Sequence, residues 1–409
     1  MKYLDIEAPK HIQATISLPA SKSISNRALI INALSGSPLW PENVSDCDDT
    51  RVTVDALTRM PDTIDIGAAG TAMRFLTAYL SVITGTHVIT GTERMRHRPI
   101  GVLVDALRSL GAEISYEGEE GFPPLRIRGG HLQGGILELP GDVSSQYVSA
   151  MLMIAPTLEQ GLCLKLKGNI VSRPYIDMTL SIMKAYGAQA SWSDKNTIEV
   201  KPQKYRPIPF RIENDWSAAS YWYEIVALSK DAEVVLPGLF RESTQGDSRV
   251  RDFFRPLGVE TEFLSDGIRL YKSGTPVKQL KLDLVDQPDL AQTLVATCAA
   301  MGVSFCFTGL QSLKIKETDR IRALRNEMAK LGFLIQEADD SVLLWDGERT
   351  KKEPHPFIET YEDHRMAMTL APCSLRLGGM RINNPGVVSK SYPRFWDDLR
   401  EASFCISQA

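Results

Sequence analysis

Apolar residues recur at helical spacing in several stretches, each just behind a short run of small, polar or basic side chains. Ile24, Ala28, Ile31 and Leu34 form one such stripe after Ser21-Lys22-Ser23-Ile24-Ser25-Asn26-Arg27, and Gly36 closes it. Met73, Leu76, Leu80 and Ile83 follow Gly70-Thr71-Ala72-Met73-Arg74, with Gly85 at the end. Ser144-Ser145-Gln146 leads into Tyr147, Met151 and Ile154, and Pro156 stops the run. Lys316-Glu317-Thr318-Asp319-Arg320 leads into Ile321, Leu324, Met328 and Leu331, and Asp363-His364-Arg365 into Met366-Ala367-Met368. The spacing predicts helices whose first turns hold the polar chemistry.

A second pattern repeats at longer range. Val104-Asp105-Ala106-Leu107-Arg108-Ser109-Leu110-Gly111-Ala112-Glu113-Ile114 reads as a helix end, a glycine cap and the start of a strand. The same order returns around Gly187, Gly258 and Gly332, at nearly equal intervals of a little over seventy residues, each followed by a turn and a second strand. Weaker copies sit at Val54-Asp55-Ala56-Leu57 and Phe395-Trp396-Asp397-Asp398-Leu399-Arg400. About six helix-plus-strands blocks result, too long for solenoid repeats. Two similar α/β domains of three blocks each fit a length of 409 residues.

Composition narrows the function. Hydrophobic residues are 43% and charged residues 23%, as in ordinary globular proteins. A formal charge of −4 offers no footprint for nucleic acid but leaves room for a local basic pocket. The start of the chain lacks the apolar core of a signal peptide, and no apolar run reaches membrane-spanning length, so a cytoplasmic protein is expected. The six scattered cysteines include no C-x-x-C pair, and the six histidines no pair at helical ligand spacing. Reduced thiols and no built-in metal site follow as expectations.

A helix N-terminus presents free N–H groups and the positive end of the dipole to an anion. Serine or threonine is also the default cap, so one such start carries little weight. Five in one chain, four of them with Lys or Arg, point to a shared cleft for small molecules bearing several negative groups. Two carboxylates stand among them: Asp289, which follows an alternating strand and begins a helix, and Glu317, which opens the next. A carboxylate amid cations ionises readily and can take and return a proton; for each one taken alone, favourable placement at a helix start is the better account. His364 reads either as a donor to an anion or as a helix-start residue. The chain holds no G-x-x-x-x-G-K-[ST], no strand-to-helix G-x-G-x-x-G and no G-x-S-x-G, which removes support for common nucleotide folds and serine hydrolases. Trp216, Tyr221 and Trp222 read as packing rather than as a stacking platform.

These segments, from Leu18-Pro19-Ala20-Ser21-Lys22-Ser23 to Ser389-Lys390-Ser391-Tyr392-Pro393, resemble the 5-enolpyruvylshikimate-3-phosphate synthase family along nearly the whole chain. Gly70-Thr71-Ala72-Met73-Arg74, Arg98-Pro99-Ile100, Gly141-Asp142-Val143-Ser144-Ser145-Gln146, Ser172-Arg173-Pro174-Tyr175-Ile176-Asp177, Gln245-Gly246-Asp247 and Lys316-Glu317-Thr318-Asp319-Arg320 carry the likeness, in order. It implies an inside-out α/β barrel of two domains, each with three βαβαββ units, closing over a cleft. Residues 1–20 with 214–409 would form one domain and 21–213 the other, with a hinge near Pro19-Ala20 and Asn214-Asp215. The implied reaction moves the enolpyruvyl group of phosphoenolpyruvate to the 5-hydroxyl of shikimate 3-phosphate and releases phosphate, in chorismate and aromatic amino-acid biosynthesis. No cofactor, metal, nucleic acid or membrane takes part, and a monomer is expected.

Carried over by motif, shikimate 3-phosphate meets Lys22, Ser23, Arg27, Ser144, Ser145, Gln146, Ser172, Tyr175, Asp289 and Lys316. Phosphoenolpyruvate meets Lys22, Gly70, Arg98, Gln146, Arg320, Arg365 and Lys390. The resemblance makes Asp289 the acceptor of the hydroxyl proton, Glu317 the carrier of the methylene proton, and Lys22 and Lys390 the stabilisers of developing charge. Two positions depart from the family: Ala68, where Asn is common, and Ser312, where Asn precedes the Lys-Glu motif. Gly70 is kept, which implies a site that admits glyphosate. The sister UDP-N-acetylglucosamine enolpyruvyl transferases pair their N-terminal Lys with Asn and carry a loop Cys or Asp. Here Lys22 precedes Ser23, and Thr92-Glu93-Arg94-Met95-Arg96-His97-Arg98 has no Cys. A non-catalytic homologue that still binds the anions is the other alternative, suggested by Ala68.

Overall fold

The computed structural model describes residues 3–408. It consists of two compact units: a terminal unit, made of residues through Pro19 together with Glu213 onward, and an inserted unit, Ala20–Ile212. The chain passes from one to the other at 19–20 and 212–213, one residue before each boundary placed from the sequence.

One sheet plan recurs five times among the described residues. Each sheet has four strands; the first two run parallel and the other two join antiparallel. In the inserted unit the order is Thr63–Asp65, Gly85–Thr90, Leu125–Gly129, Glu113–Tyr116, and then Gly135–Pro140, Leu162–Lys167, Thr197–Val200, Ala190–Trp192. The terminal unit contributes three. One of them, Gln279–Asp283, Ser304–Thr308, Val342–Trp345, Gln336–Ala338, is continuous in sequence. The other two borrow from the chain start. Tyr3–Glu7 lies between Met380–Asn383 and Cys405–Gln408, and Ile12–Thr15 runs parallel to Ala232–Pro237. This borrowing places the first residues in the same unit as the last.

The glycine pattern marks where each helix turns into an edge strand. Gly111, Gly187, Gly258 and Gly332 all take positive φ, between 82° and 101°, where a Cβ is costly. The fifth copy follows Phe395–Glu401 and has no glycine; Ser403 takes the left-handed conformation at φ 70° instead. The stretch at Val54-Leu57 behaves differently. Its helix, Asp48–Arg59, ends on left-handed Met60 and runs into Thr63–Asp65, the parallel strand that opens the next sheet. The sixth block thus keeps its helices, Lys22–Leu34 and Asp48–Arg59, and reduces its sheet to one parallel bridge, Glu42 to Arg211.

Each unit has its own core. In the inserted unit the helices Lys22–Leu34, Gly70–Val82, Ser145–Ile154 and Arg173–Ala185 bury Ile30, Phe75, Met151 and Ile182 together. In the terminal unit Trp216–Leu228 is buried on almost every side, and Trp216, Tyr221 and Trp222 pack in the core. Burial of each large apolar side chain is worth about 1.5–3 kcal/mol, enough to carry a helix whose polar residues gather at one end. Trp222 donates to Tyr392 Oη, which donates to Asp398, so these aromatic polar atoms are satisfied.

Candidate active site

In the inserted unit the four core helices begin with the residues singled out by the sequence. Ser21 caps Lys22–Leu34 by accepting from the Ile24 amide, leaving Lys22 and Ser23 in the first turn. Lys22 Nζ lies 3.6 Å from Asp49, which is buried at the start of the next helix. Ser144 caps Ser145–Ile154, and the Gln146 side-chain amide donates to Thr71 Oγ1 at 3.1 Å, joining this helix start to Gly70–Val82. Ser172 precedes Arg173–Ala185 at φ 55°, an unfavourable conformation for serine, and its hydroxyl makes no cap bond.

Arg27 is seated deeper. Only 3% exposed, it donates Nε to Thr179 Oγ1 at 2.7 Å, Nη2 to Ser149 Oγ at 3.0 Å and Nη1 to the Ser23 carbonyl at 2.9 Å. The Phe75 and Tyr175 rings lie 5.3 and 5.9 Å from its guanidinium carbon. Burial lowers this guanidinium to about 10, with the nearby Tyr175 acting in the opposite sense. Arg74 braces the neighbouring loop: it donates to the Gly70 and Pro99 carbonyls, and Tyr147 Oη donates to Pro99 as well. That loop carries Arg98, and its guanidinium lies against the α-carbon face of Gly70. A Cβ at Gly70 would stand well inside van der Waals contact with it. Ala68 is exposed just before this helix.

The terminal unit holds the second cluster. Arg320 opens the helix Arg320–Lys330 and is 1% exposed; its N–H groups reach Asp363 at 2.7 Å, Glu317 at 2.7 Å and Asp289 at 3.0 Å. Arg365, in the first turn of His364–Leu370, meets the other Asp289 oxygen at 2.9 Å and Tyr221 Oη at 3.3 Å. Lys316 Nζ stands 3.9 Å from Asp289, and Lys390 Nζ 3.2 Å from Glu317. Burial alone would raise the Asp289 carboxyl, but Arg365, Lys316 and Arg320 outweigh it and hold it well below the usual carboxylate range. Burial lowers the Lys316 ammonium, while Asp289 works to raise it. His364 is 1% exposed.

Asp289, Glu317, Lys316, Arg320, Arg365 and Lys390 are therefore brought together within one unit, and Lys22, Ser23 and Arg27 share one helix in the other. One expectation is corrected. Glu317 does not open a helix: Asp319 takes the cap by accepting from the Arg322 amide, and the helix starts at Arg320. Glu317 lies ahead of the cap, and from there it reaches both Arg320 and Lys390. Asp289 sits in a 3-10 turn, Pro288–Leu290, directly before the helix Ala291–Met301. Ser312 lies half-buried in another, Gln311–Ile315.

Sequence reasoning missed the carboxylates behind the cations. Asp363 is fully buried; it accepts from Arg320 and from the Arg365 amide and so fixes both arginines. Its place at a helix cap concealed that second use. Asp247 is buried within the Gln245-Gly246-Asp247 segment and accepts from Ser217 Oγ. Burial and the charge of Asp289 push its carboxyl up to about 7, against the pull of Arg365. Among the described residues no group of three or more His, Cys, Asp or Glu side chains is arranged to hold a metal ion, and no helix is long and apolar enough to cross a membrane.

Comparison with known proteins identifies the family. The family described as EPSP synthase (3-phosphoshikimate 1-carboxyvinyltransferase) matches residues 6–65 and 60–399. A 3-phosphoshikimate 1-carboxyvinyltransferase of Bacteroides fragilis is 61% identical over 406 residues, covering 99% of each chain. One from Vibrio cholerae is 35% identical, covering 98% of this chain and 100% of its own. The solved EPSP synthase of Acinetobacter baumannii superposes with a TM-score of 0.80 at 22% identity, covering all of both chains. An enolpyruvyl transferase of Streptomyces tendae gives 0.77 at 14% identity, over 100% of this chain and 98% of its own, so the α/β fold is shared beyond close relatives. The chain belongs to the EPSP synthase (3-phosphoshikimate 1-carboxyvinyltransferase) family.

Proposed function

We propose that this protein transfers the enolpyruvyl group of phosphoenolpyruvate to the 5-hydroxyl of shikimate 3-phosphate, releasing phosphate. The observation that carries the reading is the terminal-unit cluster. There two carboxylates, Asp289 and Glu317, stand in ion-pair contact with Lys316, Arg320, Arg365 and Lys390. Each substrate bears a phosphate and a carboxylate, and such anions find their best donors in Arg and Lys. Shikimate 3-phosphate is read as meeting Lys22, Ser23, Arg27, Ser144, Ser145, Gln146, Ser172 and Tyr175 from the inserted unit, and Asp289 and Lys316 from the terminal one. Phosphoenolpyruvate is read as meeting Lys22, Gly70, Arg98 and Gln146, together with Arg320, Arg365 and Lys390.

In the proposed addition, the 5-hydroxyl attacks C2 of phosphoenolpyruvate, its proton passes to Asp289, and Glu317, which takes up a proton from solvent before this step, delivers it to the methylene carbon. A tetrahedral intermediate with a methyl group results. In the elimination, the methyl returns a proton to Glu317, the double bond reforms, the C2–O bond to phosphate breaks, and the proton held by Asp289 leaves with the phosphate, so that both carboxyl groups return to their starting forms. Lys22 and Lys390 stabilise the charge that collects on the departing phosphate.

Asp289 is a poor base while two arginines hold its oxygens. An incoming carboxylate that takes over the Arg320 and Arg365 donors would relieve that hold. Substrate binding is thus read as an exchange of partners that raises the basicity of Asp289 when it is needed. Orientation of two mutually repelling anions would supply much of the remaining acceleration.

The protein is read as a cytoplasmic monomer acting on small molecules; its six cysteines are all free, in keeping with a reducing compartment. The test is phosphate release from phosphoenolpyruvate with shikimate 3-phosphate, run beside UDP-N-acetylglucosamine. Release with shikimate 3-phosphate alone is expected. Release with UDP-N-acetylglucosamine instead overturns the assignment, and binding of shikimate 3-phosphate without release makes the protein a binding-only homologue with Ala68 as the first suspect.

A further inference from the structure

Three helices of the inserted unit start with residues assigned above to shikimate 3-phosphate, and one turn further in they meet at a single buried polar socket. Arg27 lies four residues after Ser23, Ser149 four after Ser145, and Thr179 four after Tyr175, so each faces the same way as the binding residue before it. Thr179 and Ser149 are fully buried. Thr179 Oγ1 accepts from Arg27 Nε at 2.7 Å and lies 2.8 Å from Ser149 Oγ and 2.9 Å from the Tyr175 carbonyl. Ser149 Oγ accepts from Arg27 Nη2 at 3.0 Å. The groups that receive the Arg27 N–H bonds are all neutral oxygens, so hydroxyl placement, with no carboxylate in the set, determines where this guanidinium points.

We propose that Thr179 and Ser149 are positioning residues for shikimate 3-phosphate, locking Arg27 and Tyr175 and registering the three helix starts without touching substrate. The proposal rests on the reading that Arg27 and Tyr175 bind that substrate. Thr179 is the stronger member, because its hydroxyl touches the side chain of one ligand residue and the backbone of the other. A hydroxyl has one proton and two lone pairs, and here Thr179 spends them on the socket. Replacement by an apolar group of the same shape would leave a buried charged N–H unanswered, and the guanidinium would turn to find another acceptor. The socket lies one helical turn below the binding residues, so misorientation would reach the shikimate side and spare the cations of the terminal unit.

The test compares wild-type protein with Thr179→Val, Thr179→Ser and Ser149→Ala by calorimetric titration with shikimate 3-phosphate, steady-state kinetics for both substrates, and thermal melting. Thr179→Val is expected to weaken shikimate 3-phosphate binding and raise its KM about tenfold, with the KM for phosphoenolpyruvate within about twofold. Thr179→Ser should restore both to within about twofold, and Ser149→Ala should give a smaller change of the same kind. Ser149→Ala carries the test if the valine variant does not fold. An unchanged shikimate 3-phosphate KM in a folded variant, or equal rises in both KM values with a lowered melting temperature, overturns the proposal. Failure of the wild-type protein to bind shikimate 3-phosphate overturns the functional reading, and this proposal with it.

Discussion

The two units handle buried cations in opposite ways. In the inserted unit Arg27 and Arg74 are held by hydroxyls and backbone carbonyls, neutral acceptors that orient a guanidinium without cancelling its charge. In the terminal unit Arg320 and Arg365 are held by carboxylates: Asp363, Glu317 and Asp289 for the first, Asp289 for the second. A neutral socket keeps its cation charged and ready for an anion. A carboxylate cluster keeps its cations compensated, so an anion must displace a partner, and the displaced carboxylate changes its basicity. On the proposed reading, the first region only holds substrate, while the second both holds substrate and moves protons as it arrives.

The most severe way to break this contrast is to neutralise the exchanging carboxylates. Asp289→Asn and Glu317→Gln keep shape but remove proton acceptance, and each replaces one accepting oxygen with an N–H that faces a cation. Each should slow phosphate release about 10²–10⁴-fold, the usual range for a lost acid–base group. Single-turnover rapid quench separates them: loss of Asp289 should block formation of the tetrahedral intermediate, while loss of Glu317 should affect both its formation and its decay. Rates within tenfold of wild type in either variant would remove that residue from the proton path.

Asp363 tests whether the terminal cluster needs a fixed anion behind its exchangeable ones. Asn can still cap His364–Leu370 through its side-chain oxygen, but Arg320 loses its closest permanent counter-charge. Asp363→Asn should raise the KM for phosphoenolpyruvate about 30-fold or more, in line with loss of one partner from a buried pair. Affinity for shikimate 3-phosphate, measured by titration, should change far less. A parallel loss of both would mean that Asp363 supports the fold rather than the arginines.

On the inserted side, Gly70→Ala asks how tightly the Arg98 loop is packed. The added methyl collides with the Arg98 guanidinium, while Arg74 holds the Gly70 and Pro99 carbonyls in place, so Arg98 is the group that must move. Overpacking of this kind costs about 1–3 kcal/mol, and a rise of about tenfold in the KM for phosphoenolpyruvate is expected. Inhibition by glyphosate should weaken at the same time, if it uses the same space. An unchanged KM would place Arg98 outside the phosphoenolpyruvate site.

How much of this was legible in the sequence differs between fold and site. The block repeat was readable because left-handed residues after helices leave glycines at regular positions; it faded at Ser403, where a non-glycine takes that conformation, and misled at Val54-Leu57, where the following strand belongs to another sheet. Helix starts were readable because capping has its own residue preferences, yet the cap signal placed Glu317 inside a helix that Asp319 begins instead. The groups behind the ligands were not readable at all. Thr179 looks like any polar residue on a helix, and Asp363 like any cap, because their roles depend on partners more than forty residues away in sequence.

The smallest expected effect concerns stability, and it sharpens the contrast through pH. Asp247 belongs to the terminal unit, accepts from Ser217 and has its other oxygen buried without a hydrogen-bond partner. Burial and the neighbouring Asp289 charge raise its carboxyl from 3.8 to about 7. Between those values the unfolded chain has released the proton and the folded protein still holds it, so folding binds a proton and stability falls as pH rises. The loss begins near pH 4, is complete a little above pH 7 and amounts to a few kcal/mol at most. Asp289 acts in the other direction. Its depressed carboxyl contributes stability that is present above the unfolded value near pH 4 and declines in acid. Urea unfolding from pH 4 to pH 8 should therefore show a decline in wild type that Asp247→Asn makes shallower, since an amide cannot ionise, while Glu213, Glu224 and Asp398, whose carboxyls burial also raises, keep the rest of the slope. The neutral socket around Arg27 contains no group that titrates in this range, so Thr179→Val should shift the whole curve without changing its slope. A slope identical in wild type and Asp247→Asn would mean that this carboxyl is ionised in the folded protein despite its burial.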